Sequence, residues 1–125
     1  AFRWTNGVMT DLGTLTGSTS TGIGLNDSAH VVGYAAASGT SHAFLWENGV
    51  MTDLIPGSQS SAANDVNDAG QVVGVSHYSG SENRAFLWQN GVMQNLGTVG
   101  GDESSASGIN SAGQVVGRES FARWF

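Results

Sequence analysis

Three segments of this 125-residue chain align at a spacing of 42 residues: AFRWTNGVMTDL from Ala1, AFLWENGVMTDL from Ala43 and AFLWQNGVMQNL from Ala85. Eight of the twelve positions are identical in all three. A second block follows each: GIGLNDSAHVVG ending at Gly33, ANDVNDAGQVVG ending at Gly74 and ASGINSAGQVVG ending at Gly117. Repetition at this period marks a fold built by stacking one supersecondary unit that cannot bury its apolar surface alone. The units run 1–42, 43–84 and 85–125 and read as a single domain. Gly/Ser/Thr-rich stretches such as Gly13–Thr21 and Gly97–Ser105 join the blocks. The third unit is cut short, and Ala122-Arg123-Trp124 reads like the opening of a fourth.

Each unit reads as about four short strands. Asn6-Gly7, Asn48-Gly49 and Asn90-Gly91 are strong hairpin signals, because a two-residue type I′ turn needs φ > 0 at both positions. With Asn48-Gly49 as the turn, Glu47 faces Val50, Trp46 faces Met51 and Phe44 faces Asp53. Phe44, Trp46 and Met51 then share one face, and Ala43, Leu45, Val50 and Leu54 the other. Both faces are apolar, so the sheet is expected to be covered on both sides. A second turn is read at Asn67-Asp68-Ala69-Gly70 and again at Asn110-Ser111-Ala112-Gly113. The first unit has Ala29 where the others carry Gly, which implies strain or another turn shape. No segment has a capped apolar period of 3.6, so little helix is expected.

Composition excludes several function classes. The chain has no Lys, four Arg and a net charge of −6. A phosphate-binding surface needs clustered bases, so no nucleic acid partner is expected. No apolar run approaches the length of a membrane helix, so no membrane insertion is expected. Ala1 rather than Met opens the chain, as processing or trimming would leave it, and the opening residues do not read as a leader. With no Cys, disulfides, thiolate metal sites and Cys nucleophiles are ruled out.

The pattern A-F-L-W-x-N-G-x-M-x-D-L followed by G-I-N-x-x-G-Q-V-V-G resembles the HAF family, repeats assigned to the outside of bacteria. His42-Ala43-Phe44 carries the three letters of that name, and the resemblance covers nearly the whole chain. It implies an extracellular or cell-surface repeat protein, with no catalytic residues to carry over. The fold class expected is all-β: three antiparallel repeats closing into a pseudo-threefold barrel with trefoil-like arithmetic. In that barrel Phe121–Phe125 closes against the first unit, Trp124 is buried, and the chain is a monomer. The alternative is three blades of a β-propeller completed by dimerisation, since propellers typically have four to eight blades.

Candidate sites are few. Trp4, Trp46, Trp88 and Trp124 recur in register and are weak candidates for a ligand platform, against the expectation that a repeating large residue fills a core. Asp65-Val66-Asn67-Asp68-Ala69-Gly70 resembles a calcium loop but has Ser76 where the closing Glu belongs. Asp11, Asp53 and Asn95 share one repeated position and are expected to be edge polarity rather than a cation ring. His30, His42 and His77 fit no metal-ligand spacing and are expected in solvent. No Ser/base/orienter set is legible. No cofactor, metal or catalytic residue is therefore expected. The function read is a non-catalytic structural or interaction module, with a carbohydrate- or polymer-binding module (a glycan or surface polymer as partner) as the alternative. Repetition argues against an enzyme, because a catalytic site needs different residues in different roles.

Overall fold

Every Asn-Gly pair turns a hairpin. Asn6, Asn48 and Asn90 have φ near 50°, and Gly7, Gly49 and Gly91 have φ of 84, 83 and 84°, the left-handed pair a type I′ turn requires. The computed structural model describes residues 1–78 and 82–120. Within them lie twelve strands: β1 (Phe2–Thr5), β2 (Val8–Asp11), β3 (Ser20–Leu25), β4 (Val31–Ala37), β5 (Thr40–Glu47), β6 (Val50–Asp53), β7 (Ser60–Val66), β8 (Val72–His77), β9 (Arg84–Gln89), β10 (Val92–Gly97), β11 (Glu103–Ile109) and β12 (Val115–Ser120). No helix occurs among the described residues. The register is the one the turn dictates, with Glu47 opposite Val50, Trp46 opposite Met51 and Phe44 opposite Asp53.

The strands pair into four antiparallel sheets: β1-β2, β3-β4-β5-β6, β7-β8-β9-β10 and β11-β12. Sheets and sequence units are out of phase. Each four-stranded sheet takes two strands from the second block of one unit and two from the first block of the next. Among the described residues no pairing joins the sheets to one another, and no closed barrel is detected. The expected closing strand Phe121–Phe125, with Trp124, lies outside the described residues.

The two apolar faces of each four-stranded sheet are used by two neighbours. Phe44, Trp46 and Val31 pack with Leu12 on one side of the β3–β6 sheet. Val32, Ala43 and Leu45 pack on its other side against Val72, Phe86 and Val66 of the next sheet. The opposite face of that sheet presents Val73 and Ala85 to Ala106, with Ile109 and Val115 alongside. The core is thus three apolar layers between successive sheets, and the strict alternation of side chains along a strand makes this work.

Two glycine requirements follow from the backbone. The strands β3, β7 and β11 each shift register, between Gly22 and Gly24, Ala63 and Asp65, and Ala106 and Gly108. Opposite these bulges stand Gly33, Gly74 and Gly117. A Cβ on them would lie 1.9, 2.0 and 2.0 Å from the carbonyl oxygens of Thr21, Ala62 and Ser105, so no side chain fits. In the second turn Gly70 and Gly113 have φ of 82°, and Ala29 holds 64° in the same place. The first turn therefore keeps the shape of its relatives, and Ala29 is strained.

Ala29→Gly is expected to stabilise the chain by about 0.5–1 kcal/mol, and Gly70→Ala to destabilise it by about 1 kcal/mol. Gly74→Ala is expected to cost about 3 kcal/mol or more, since backbone must move. Denaturant midpoints at one protein concentration check the order; a Gly74→Ala variant as stable as Gly70→Ala would contradict the bulge account.

Candidate functional site

The Asn that opens each second turn makes several hydrogen bonds at once. Its Oδ1 accepts from the backbone four residues on: His30 N to Asn26 (3.0 Å), Gln71 N to Asn67 (2.9 Å) and Gln114 N to Asn110 (2.9 Å). This closes the turn as Asx chemistry does. Its Nδ2 offers two donor hydrogens, where an ionised Asp has none and a Ser one. Asn26 Nδ2 donates to the Asn67 carbonyl at 2.8 Å, and Asn67 Nδ2 donates to the Asn110 carbonyl at 2.9 Å. The three turns are strung into a ladder that crosses from sheet to sheet in one direction. Asp27 N donates to Asp68 Oδ1 (2.8 Å), Asn64 Nδ2 to the Ala106 carbonyl (2.7 Å) and Ile109 N to Asp65 Oδ2 (2.9 Å), adding further rungs.

The second Nδ2 hydrogen of each Asn feeds a relay. Asn67 and Asn110 donate to Gln71 and Gln114 Oε1, both at 2.8 Å. In the first turn Asn26 donates to His30 Nδ1 (2.9 Å), which leaves the ring proton on Nε2, 2.9 Å from Glu47 Oε2. Gln71 Nε2 points at Gln89 Oε1 in the same way (3.4 Å). His30 thus reproduces the acceptor-then-donor order of Gln71, which explains an exchange that looks unconservative. The expectation of solvated histidines is corrected at two places. His30 is partly buried in this relay, and His42 is buried with Nδ1 2.7 Å from Asp53 Oδ2.

Asp11, Asp53 and Asn95 each cap their own hairpin end. Their Oδ1 atoms accept from Gly13 N (2.9 Å), Ile55 N (3.1 Å) and Gly97 N (2.8 Å). Asp65 and Asp68 accept backbone amides. Among the described residues no group of three or more His, Cys, Asp or Glu is gathered. Ser61 and Ser104, at the start of β7 and β11, accept from Ala43 N (2.8 Å) and Ala85 N (3.0 Å). Ser20 holds Ala1 in the equivalent way. These serines were legible only as turn chemistry, yet each pins the next sheet to a hairpin of the preceding one.

The platform candidates part company. Trp46 is buried between sheets and Trp88 packs half-buried against the central layer. Trp124 lies outside the described residues. Trp4 is 62% exposed, against 7% for Trp46. The same contrast holds for Phe2, 60% exposed where Phe44 and Phe86 are at 0%. It holds for Val116, 66% exposed where Val32 and Val73 are at 0%, and for Leu25, 65% exposed where Val66 is at 4%. The exposed members of each set lie on β1, β3 and β12, toward the two ends of the stack. Phe2, Trp4, Ile23, Leu25 and Val31 help to line a groove of about 470 Å³ between β1 and β3. Arg3, where Leu45 and Leu87 stand in the other units, lays its guanidinium 5.0 Å from the Trp46 ring centre, a cation–π contact.

No family model, no curated protein and no solved structure matches this chain.

The ladder makes a test that a simple turn does not. Asn67→Asp keeps the Oδ1 acceptor but removes both Nδ2 donations and places a carboxylate in a buried site, so a loss of about 2–3 kcal/mol is expected. His30→Gln is expected to be neutral within about 0.5 kcal/mol and His30→Ala to cost about 1–2 kcal/mol. Thermal or denaturant unfolding checks all three; a neutral Asn67→Asp would reduce the ladder to a local turn.

Proposed function

We propose that this chain is a non-catalytic structural or interaction module whose sheets are blades of a β-propeller-type array. The observation that carries the reading is the Asn26–Asn67–Asn110 ladder. The repeated polar side chains that a site would need are committed to closing turns and joining sheets. Sheets that pack face to face through apolar layers, with no strand pairing from one sheet to the next among the described residues, favour blades over a closed threefold barrel. The HAF resemblance, which rests on the residues alone, adds a bacterial extracellular or cell-surface setting. The net charge of −6 makes nucleic acid a poor partner. The His42–Asp53 pair supplies a base and an orienter in form, but its buried place between hairpin strands fits a structural pair.

Incubation of the chain with ester, peptide, glycoside and phosphomonoester substrates is expected to give no turnover above background. Turnover abolished by His42→Ala in a folded variant would overturn the non-catalytic reading.

A second reading, a carbohydrate- or polymer-binding module, is favoured by a groove of about 320 Å³ whose lining includes Tyr34, Ser41, Ser60, Ser61, Ser76 and His77, beside Ala62, Val75 and Asn83. One aromatic ring among hydroxyls is a composition suited to sugars. Glycan-array binding lost in Tyr34→Ala would establish it, and no binding on the array would remove it.

A further inference from the structure

Four hydroxyls without a protein partner meet in one groove between the two complete sheets. The side chains of Ser20, Ser58, Ser61 and Ser104 all bond backbone groups. Those of Tyr34, Ser41, Ser60 and Ser76 make no hydrogen bond among the described residues, and all four line the groove of about 320 Å³. Ser76 is 3% exposed. A hydroxyl so nearly out of bulk water and still unpaired costs free energy until a group in the groove bonds it. The groove owes nothing to the ends of the chain. Tyr34 and Ser41 come from β4 and β5, and Ser60, Ser61, Ser76 and His77 from β7 and β8. Strand pairing sets Ser60 opposite His77 and Ser61 opposite Ser76, and the Ser61–Ala43 bond ties the two sheets together beside them.

The next groove along the stack, of about 310 Å³, has the same frame and different chemistry. Register places Val75 at the position of Tyr34, Glu103 at that of Ser60 and Glu119 at that of Ser76. Glu119 is committed to its own loop, accepting from Val99 N and from Gly101 N (3.2 Å). Positions that build the fold repeat, as Asn26, Asn67 and Asn110 or Ser20, Ser61 and Ser104 do. Positions that line the two grooves do not. Of the two, the first combines an aromatic ring with unpaired hydroxyls.

Resting on the carbohydrate reading, we infer that this first groove is a site for one neutral pyranose unit, stacked on Tyr34 and bonded by the hydroxyls of Ser60 and Ser76. A pyranose has an apolar ring face and a rim of groups that both donate and accept, and the lining answers each with its own kind. Ala62 and Val75 supply further apolar surface. No Asp, Glu or Arg is among the described lining residues, so a charged sugar would lose water without gaining a counter-charge. The volume lies at the small end of ligand sites, which suits one ring. The second groove does not extend the site, because Val75 and Glu103 stand where the ring and a hydroxyl are needed.

The test is an NMR titration of the intact chain with the methyl glycosides of glucose, galactose and mannose, and with glucuronate and glucosamine as charged counterparts. At least one neutral glycoside is expected to bind with a Kd of about 1–10 mM and to move the amides of Ser61, Ser76 and His77. The charged sugars are expected to bind at least about tenfold more weakly. Tyr34→Val and Ser60→Glu install residues that the fold already carries at equivalent places, and each is expected to weaken binding at least about tenfold. Ser76→Ala is expected to weaken it at least about threefold. No shift with any neutral glycoside, shifts confined to another surface, charged sugars bound equally well, or binding unchanged in Tyr34→Val or Ser60→Glu would each overturn the inference. Binding mapped to another surface would leave the carbohydrate reading standing. A chain inert to these sugars and on the glycan array would remove both.

Discussion

Each sheet of this protein is apolar on both faces, and that constraint governs the rest of the structure. A two- to four-stranded sheet with one wet face can stand on a single core, but one with none needs a neighbour on each side. Val32 and Leu45 point one way and Phe44 and Trp46 the other, so the β3–β6 sheet is stable only between two more. The repeat supplies them. Stability is then a property of the layers between sheets rather than of any sheet, as in other repeat arrays. The cost appears at the ends, where the equivalents of buried residues stand in water.

Apolar layers are non-directional and would let sheets slide. The polar links fix the spacing. The Asn ladder and the Ser hydroxyls that hold Ala43 and Ala85 are directional and fall at repeated positions, and the Asn64 and Asp65 bonds to the next sheet, peculiar to the second unit, add to them. Because most are at least partly buried, losing one partner leaves the other unsatisfied, which makes such links stricter than their net contribution suggests. The bulge in β3, β7 and β11 belongs to the same device. It frees Asn64 to reach the next sheet, and it leaves Gly33, Gly74 and Gly117 no room for a side chain.

Much of the local structure was legible in the sequence. The Asn-Gly turns fixed hairpin register residue by residue, and the two-faced apolar pattern announced stacked sheets. The phase of the sheets was not legible, because a repeat unit can be cut at any point and the alignment favours the longest identical block. Pairing of the VVG strand with the following AFLW strand spans a loop of variable length, and only the shared Gly–Phe register reveals it. The ladder had a usable signal. Turns of this kind accept Asp or Ser as readily as Asn, yet positions 26, 67 and 110 are all Asn, and of the three only the amide accepts on one atom while offering two donor hydrogens on another. The His42–Asp53 pair had none, since Arg84 stands at the equivalent of His42. The tryptophans separated by position rather than by type, as Trp4 has the sequence of a core residue on a strand that lacks its neighbour.

Native-state amide hydrogen exchange tests the central claim, that layers between sheets rather than sheets are the stable units. Buried amides of Val32 and Phe44 in one sheet and Val73 and Phe86 in the next are predicted to open with free energies within about 1 kcal/mol of each other and of global unfolding. If the β3–β6 sheet exchanged several kcal/mol more easily than the β7–β10 sheet, or either persisted after the other had opened, the sheets would be independent and the account would be wrong.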